Sequence, residues 1–214
     1  MINLYLGDSL EAMRAMDDNT YDIAIVDPPY GLDRASWFGG ATHNPDHPMA
    51  NRQFFTMGDV GSQWDVAPPV EYFEQLRRVS RNQIVWGGNY FAPLWVHGGR
   101  CVIAWDKCQP WQTFSQIELA WTSYKGTSKL FKFDNRYAGK IHPTQKPVEL
   151  YQWILSKYAK QGDRILDTHL GSGSIALACH TMGYSLDAYE IDGEYYAAAQ
   201  ARLHEHQRQM RLFV

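Results

Sequence analysis

The sequence predicts an α/β fold built on a doubly wound, mostly parallel sheet, and three observations carry that prediction. Apolar runs of strand length alternate with longer segments of helical spacing along the chain. Asp22 to Val26 reads as a short buried strand, apolar from Ile23 onward, that stops at Asp27-Pro28-Pro29. Near the C-terminus, Arg164 to Leu166, the turn Gly171-Ser172-Gly173, the segment Ser174 to Met182 and the run Tyr184 to Tyr189 read as strand, tight turn, helix and strand.

In chain order, strands are expected at Ile2–Leu6, Ile23–Val26, Gln83–Trp86, Arg100–Trp105, Ile117–Trp121, Ile165–Leu166 and Ser185–Tyr189, alternating with the helices. Helices are expected at Pro69–Arg78, Val148–Lys157, Ser174–Met182 and Glu194–Gln207. The second of these is preceded by Pro147, suited to a first turn, and Val148, Leu150, Tyr151, Ile154 and Leu155 follow with helical spacing. In such a sheet, ligands sit at the carboxyl ends of the strands, where Asp27, Gly171 and Glu190 all fall.

A length of 214 residues without repeats or low-complexity stretches fits one domain spanning 1–214. Met1 to Leu6 is too short for a signal peptide, and no apolar run approaches the roughly 18 residues of a membrane span, so a soluble, cytoplasmic or nucleoid-associated protein without membrane contact is expected. Three irregularly spaced cysteines, Cys101, Cys108 and Cys179, argue against a disulfide framework or a cysteine zinc site. The histidines likewise show no metal-site pattern, and no metal is expected.

The net charge of −3 argues against a general polyanion binder but conceals an asymmetry. Gly98 to Lys146 carries +5, with Trp105, Trp111, Phe114, Trp121, Tyr124, Phe131, Phe133 and Tyr137 among the charges, and the remainder carries −8. That mixture suits a surface that tracks a phosphate backbone and stacks bases; a solvated rim over an aromatic core is the alternative. The stretch from Asp33 to Asp65, rich in Gly, Pro, His and Asn, is too long for a plain connector and reads as a mobile loop that closes on nucleic acid; a loop disordered for no functional reason is the alternative.

The stretch AIVDPPYGL at residues 24 to 32 leaves a stiff rim of acceptors, because two prolines fix φ and supply no N–H. The Asp27 carboxylate, the Pro28 carbonyl and the face of Tyr30 remain; a rigid turn capped by the aspartate is the plainer reading. In the C-terminal unit, Glu190 follows Gly171 by nineteen residues, the spacing at which an acid holds the ribose hydroxyls in nucleotide-binding sheets. Ala176 stands where a dinucleotide fingerprint has its third glycine, so a nucleoside ligand without phosphates fits better.

With GKIHPTQKPVELYQWIL at Gly139 to Leu155 added, the chain resembles the S-adenosylmethionine-dependent amino-methyltransferases of DNA in the β-type order: DPPY, HPTQKP, then the glycine-rich motif. LGDSLEAM, IVWGGNYFAP, VIAWDK and EYYAAAQARL extend the resemblance over nearly the whole chain. It implies a class I methyltransferase (Rossmann-like) sheet with a small target-recognition insertion, leaving 33–65 and about 107–140 to face DNA.

The resemblance further implies that Asp27, Pro28, Pro29 and Tyr30 are catalytic and that Asp27 also lies beside S-adenosylmethionine. Gly171 and Gly173 would bring backbone to its methionine part, Glu190 would hold the ribose, Asp8 would lie near the adenine, and Ser172 and Asp192 would also belong to the cofactor site. Thr144, Gln145 and Lys146 would stand at the methionine carboxylate and Asp167 at the amino group, and His142 would also belong to the cofactor site. Thr168 and His169 depart from the family's apolar residues after the aspartate. The implied activity is site-specific N6-methylation of a flipped adenine in double-stranded DNA, with cytosine N4-methylation or a non-catalytic cofactor-binding subunit as alternatives. So short a recognition region also suggests a homodimer.

Overall fold

A computed structural model describes residues 1–32, 66–96, 101–110, 115–136 and 145–211. Its centre is β2 (Tyr21–Val26), whose unbroken apolar run serves both faces of the sheet: Ile23 and Ile25 join one buried cluster, Ala24 and Val26 the other. β2 lies parallel to β3 (Ser80–Trp86) on one side and to β7 (Arg164–Asp167) on the other. With β1 (Ile2–Leu6), β4 (Cys101–Asp106), β5 (Ile117–Thr122), β6 (Lys129–Lys132) and β8 (Ser185–Glu190), they form an eight-stranded sheet in the order β1-β8-β7-β2-β3-β5-β4-β6. Among the described strands only β5 runs against its neighbours.

Helices cover both faces. α2 (Val70–Val79) buries Tyr72, Phe73, Leu76 and Val79, a stripe at helical spacing, against the face carrying Ala24 and Val85. On the other face α4 (Val148–Tyr158) buries Leu150, Tyr151, Ile154 and Leu155, and α5 (Ser174–Met182) is buried from Ser174 through Cys179 because α4 and α6 (Gly193–Arg211) both pack on it. Asp8 caps α1 (Ser9–Arg14), and α3 (Ala92–Trp95) closes the turn after β3.

The expected strands are all present, with ends shifted by at most three residues. β6 was not expected. It pairs in parallel with β4 at the sheet edge, where its two lysines, Lys129 and Lys132, suit an exposed strand but mask the strand pattern in the sequence. Part of the stretch assigned to DNA reading at 107–140 therefore belongs to the sheet. The short helices α1 and α3, at six and four residues, fall below the length at which periodicity is legible. Residues 33–65, His142 and Thr144 lie outside the described residues.

Candidate active site

Asp27 follows β2 and Asp167 ends β7, two adjacent parallel strands in the register Ala24 to Leu166. From this line the chain runs outward in opposite directions, β2 to β3 on one side and β7 to β8 on the other, so a crevice opens at the carboxyl ends.

Both oxygens of the Asp27 carboxylate are engaged. The Tyr30 hydroxyl donates to Oδ1 at 2.8 Å, and Lys146 Nζ pairs with Oδ2. The Lys146 ammonium, only 3% exposed, also stands 3.2 Å from Glu118 Oε2, 3.4 Å from the Tyr30 hydroxyl and 5.1 Å from the Trp86 ring centre. Burial opposes its charge, but Asp27 and Glu118 outweigh that and hold its pKa above the ordinary lysine value. Burial opposes the Glu118 charge too, yet Lys146 and Lys107, the latter 2.5 Å from Oε1, pull its pKa down to about 2.

Glu118 was not among the expected site residues. Its signal is in the alternation of β5: Glu118 shares a face with Ala120 and Thr122, both fully buried, and an acid in such a row needs a buried partner. The resemblance placed Lys146 at the methionine carboxylate; here its ammonium is taken by two carboxylates of the chain itself. Gln145 beside it is buried.

The Tyr30 ring stacks on Tyr90, with centres 5.2 Å apart and planes inclined by 25°, and meets Phe91 edge-on at 6.2 Å. Gly87, at φ 66°, lets the turn after β3 pass against this ring. Pro28 is buried and Pro29 partly so, which fixes the corner from below.

The second half of the crevice gathers around Glu190. Its Oε2 accepts the Gly171 N–H at 2.8 Å and its Oε1 the Asp192 N–H at 3.0 Å, while its carbonyl accepts from Gly7. Each carboxylate oxygen keeps a second acceptor direction. Asp8 and Asp192 spend their side chains on capping: Asp8 accepts from Leu10 at 2.7 Å, and Asp192 from Glu194 and Tyr195 at 2.8 and 3.0 Å. Ser172 offers its carbonyl to Arg202 at 2.8 Å, which ties the glycine turn to α6.

Asp167 is 3% exposed, and burial pushes its carboxyl up to about 8. The His169 N–H, 3.0 Å from Oδ1, pulls the other way, while the charges of Asp27 and Glu190 add to the rise. The wall beside it, apolar in the family pattern, is a neutral polar chain. Tyr72 and Thr168 hydroxyls lie 2.5 Å apart, Thr168 Oγ1 is 2.9 Å from His169 Nδ1, and burial lowers the His169 pKa to about 4. The crevice thus offers a carboxylate for hydroxyls at Glu190, a carboxyl at Asp167 that is in no ion pair among the described residues, and close backbone at Gly171 and Gly173. Such a set fits a nucleoside that carries an amino-acid ammonium. Among the described residues no group of His, Cys, Asp and Glu is arranged to hold a metal ion, and no helix is long and apolar enough to cross a membrane.

An open α/β sheet with a glycine turn, an acid at the next strand end and a proline-stiffened carboxylate at the switch point defines a class I methyltransferase architecture. The chain belongs to the DNA methylase family of N6/N4 methyltransferases, which residues 77–201 match. It is 38% identical over 233 aligned positions to the type II methyltransferase M.HpaI of Haemophilus parainfluenzae, covering 94% of this chain and 73% of that protein. It is also 38% identical over 77 residues to M2.DpnII of Streptococcus pneumoniae, where it spans 36% of this chain but only 28% of the relative. Among solved structures, the M1.HpyAVI–SAM complex shares the fold at TM-score 0.61 and 20% identity, over 95% of this chain and 100% of that one. The cytosine-N4-specific PvuII DNA methyltransferase does so at TM-score 0.61 and 13% identity, over 93% and 85%.

Proposed function

We propose that the chain is a site-specific DNA adenine N6-methyltransferase, acting on the exocyclic amine of an adenine turned out of duplex DNA. The observation that carries this reading is the Asp27 carboxylate, held at the switch point by Tyr30 and Lys146 beside a nucleoside-type crevice. S-adenosylmethionine is the methyl donor and supplies a methyl group activated by a positively charged sulfur. On the protein side, Glu190 holds the ribose hydroxyls, Gly171 and Gly173 admit the ligand close to the backbone, and Asp167 meets the ammonium, which restores its charge.

An adenine amine is a poor nucleophile because its lone pair is delocalised into the ring. Its protons are not acidic near neutrality, so Asp27 acts as a hydrogen-bond acceptor and not as a base beforehand. Hydrogen bonds from the amine to the Asp27 carboxylate and Pro28 carbonyl favour a tetrahedral nitrogen and stabilise the positive charge that develops on it. Tyr30 stacks on the flipped base, whose extraction from the duplex costs a few kcal/mol. The prolines keep the acceptors in place, since a shift of about 1 Å can cost about a hundredfold in rate.

The test is to incubate the purified chain with methyl-labelled S-adenosylmethionine and unmethylated duplex DNA, then to separate the nucleosides. Label in N6-methyladenine is expected. Label in N4-methylcytosine moves the reading to cytosine, and no label despite bound cofactor makes the chain a cofactor-binding subunit. Asp27→Ala should lower transfer by at least about a thousandfold while cofactor affinity stays within about twofold, because only interactions made in the transition state are lost.

A further inference from the structure

Four alternating charges cross the sheet edge at the carboxyl ends of β2 and β4: Lys107 after β4, Glu118 at the start of antiparallel β5, Lys146 before α4 and Asp27 after β2. Neighbours in this row touch. Lys107 Nζ is 2.5 Å from Glu118 Oε1, Glu118 Oε2 is 3.2 Å from Lys146 Nζ, and Lys146 pairs with Asp27 Oδ2. Lys146 is almost wholly out of water and must keep a carboxylate against it. It has two within reach.

This arrangement creates a conflict at the reacting corner. A neutral exocyclic amine must use Asp27 as its acceptor; each oxygen keeps a second lone-pair direction, yet Oδ1 already takes the Tyr30 hydroxyl and Oδ2 a full cation, which weakens Oδ2 as an acceptor and opposes the positive charge that develops on the amine. A charge-assisted bond is roughly twice as strong as a neutral one, so the amine does not displace Lys146 unless the ammonium has another place to go. Glu118 is that place, with Oε2 already 3.2 Å from the ammonium. Lys107 holds the other oxygen of Glu118 and keeps the side chain from following Lys146 toward Asp27.

We infer that Glu118 is a positioning residue that receives the Lys146 ammonium when the target amine enters, freeing Oδ2 of Asp27 as the acceptor. The inference rests on the methyl-transfer reading above. Glu118 touches neither base nor cofactor; it acts through Lys146 alone. Nothing covalent changes in the exchange: one ammonium moves between two carboxylates, and the amine takes the acceptor it leaves.

A double-mutant cycle tests this with the full chain, unmethylated plasmid DNA and labelled S-adenosylmethionine. Kcat and the DNA KM come from turnover, and the cofactor Kd from calorimetry. Glu118→Gln should lower kcat by about tenfold to a hundredfold, with the cofactor Kd within about twofold, because Lys146 is then locked on Asp27. In the Lys146→Met background the same substitution should change kcat by less than about twofold, since Glu118 has nothing left to hold. Wild-type kcat in Glu118→Gln overturns the inference, as does a tenfold further loss on adding it to Lys146→Met. Should Glu118→Gln alone not fold, the Lys146→Met pair, in which one charge of each sign has gone from the double variant, carries the decision. Failure of the wild-type chain to methylate any DNA instead defeats the functional reading, so the two failures are distinguishable.

Discussion

Gly87 lies directly against the Tyr30 ring: a Cβ built at position 87 would stand 2.2 Å from Cε1 and 2.5 Å from Cδ1 of that tyrosine. The turn after β3 thus sets how far the aromatic face of the DPPY corner sits from the sheet. The backbone at 87 is also left-handed, at φ 66°, a conformation that costs a residue with a Cβ about 1–2 kcal/mol. Gly87→Ala should lower the melting temperature by about 2–8 °C and turnover by about a hundredfold, as the ring and with it the Asp27 hydrogen bond are pushed aside. Cofactor affinity should be unaffected, because Gly87 does not belong to the Glu190 half of the crevice. Unchanged turnover with a lowered melting temperature would separate the ring's position from the chemistry.

Tyr30 carries two loads, and substitutions divide them. Its ring stacks on Tyr90, and its hydroxyl donates to Asp27 Oδ1 at 2.8 Å. A hydrogen bond to a charged group is worth about 1.5–3 kcal/mol, so Tyr30→Phe should slow transfer by about tenfold or more. Tyr30→Ala removes the stacking face as well and should cost at least a further tenfold, given about 1–3 kcal/mol per stacked base. Single-turnover rates on one DNA check the ranking. Equal losses would assign the whole effect to the hydroxyl.

Gly173 caps the start of α5 at φ 74°, and a Cβ there would lie 3.1 Å from Cβ of Ala199 on α6. Both the backbone conformation and the neighbouring helix oppose a side chain. Gly173→Ala should therefore destabilise by about 1–2 kcal/mol, shifting the melting temperature by about 2–8 °C. It should also weaken S-adenosylmethionine binding several-fold as the turn withdraws from the ligand. Calorimetry with wild-type affinity in the variant would show that the turn has no contact with the cofactor.

Much of this was legible in the sequence, and the reasons differ by element. β2 and the strand–turn–helix–strand unit were readable because buried strands and glycine turns leave local patterns, at Ile23 to Val26 and at Gly171 to Glu190. β6 was not, since Lys129 and Lys132 bracket only Leu130 and Phe131 and its pairing with β4 is a long-range fact. In the site, the corner at Asp27 to Tyr30 was visible as a string. The pairing of Lys146 with Asp27 was not, because 119 positions separate them and the sequence does not record which strands become neighbours. Glu118 was hidden for the same reason: it read as one of three acids in a basic segment, and only the order β3-β5-β4 brings it to Lys146.

Asp167 makes the stability of the free chain depend on pH in an uncommon direction. Its folded-state value of about 8 lies above the roughly 3.9 of an unfolded aspartate, so between these two the native chain holds a proton that the unfolded chain has lost. Stability from this group is complete below about pH 4 and is lost as pH rises toward 8. Asp167→Asn is neutral throughout and lacks the dependence. Its melting temperature, measured relative to wild type, should therefore climb by at least about 5 °C between pH 5 and pH 8, given about 1.4 kcal/mol per pKa unit. Parallel melting curves over that range would mean that the carboxyl is ionised in the free chain. If Asp167 meets the cofactor's ammonium, binding at pH 7 should in addition release close to one proton, read as a buffer-dependent binding enthalpy, and Asp167→Asn should abolish that release while weakening affinity.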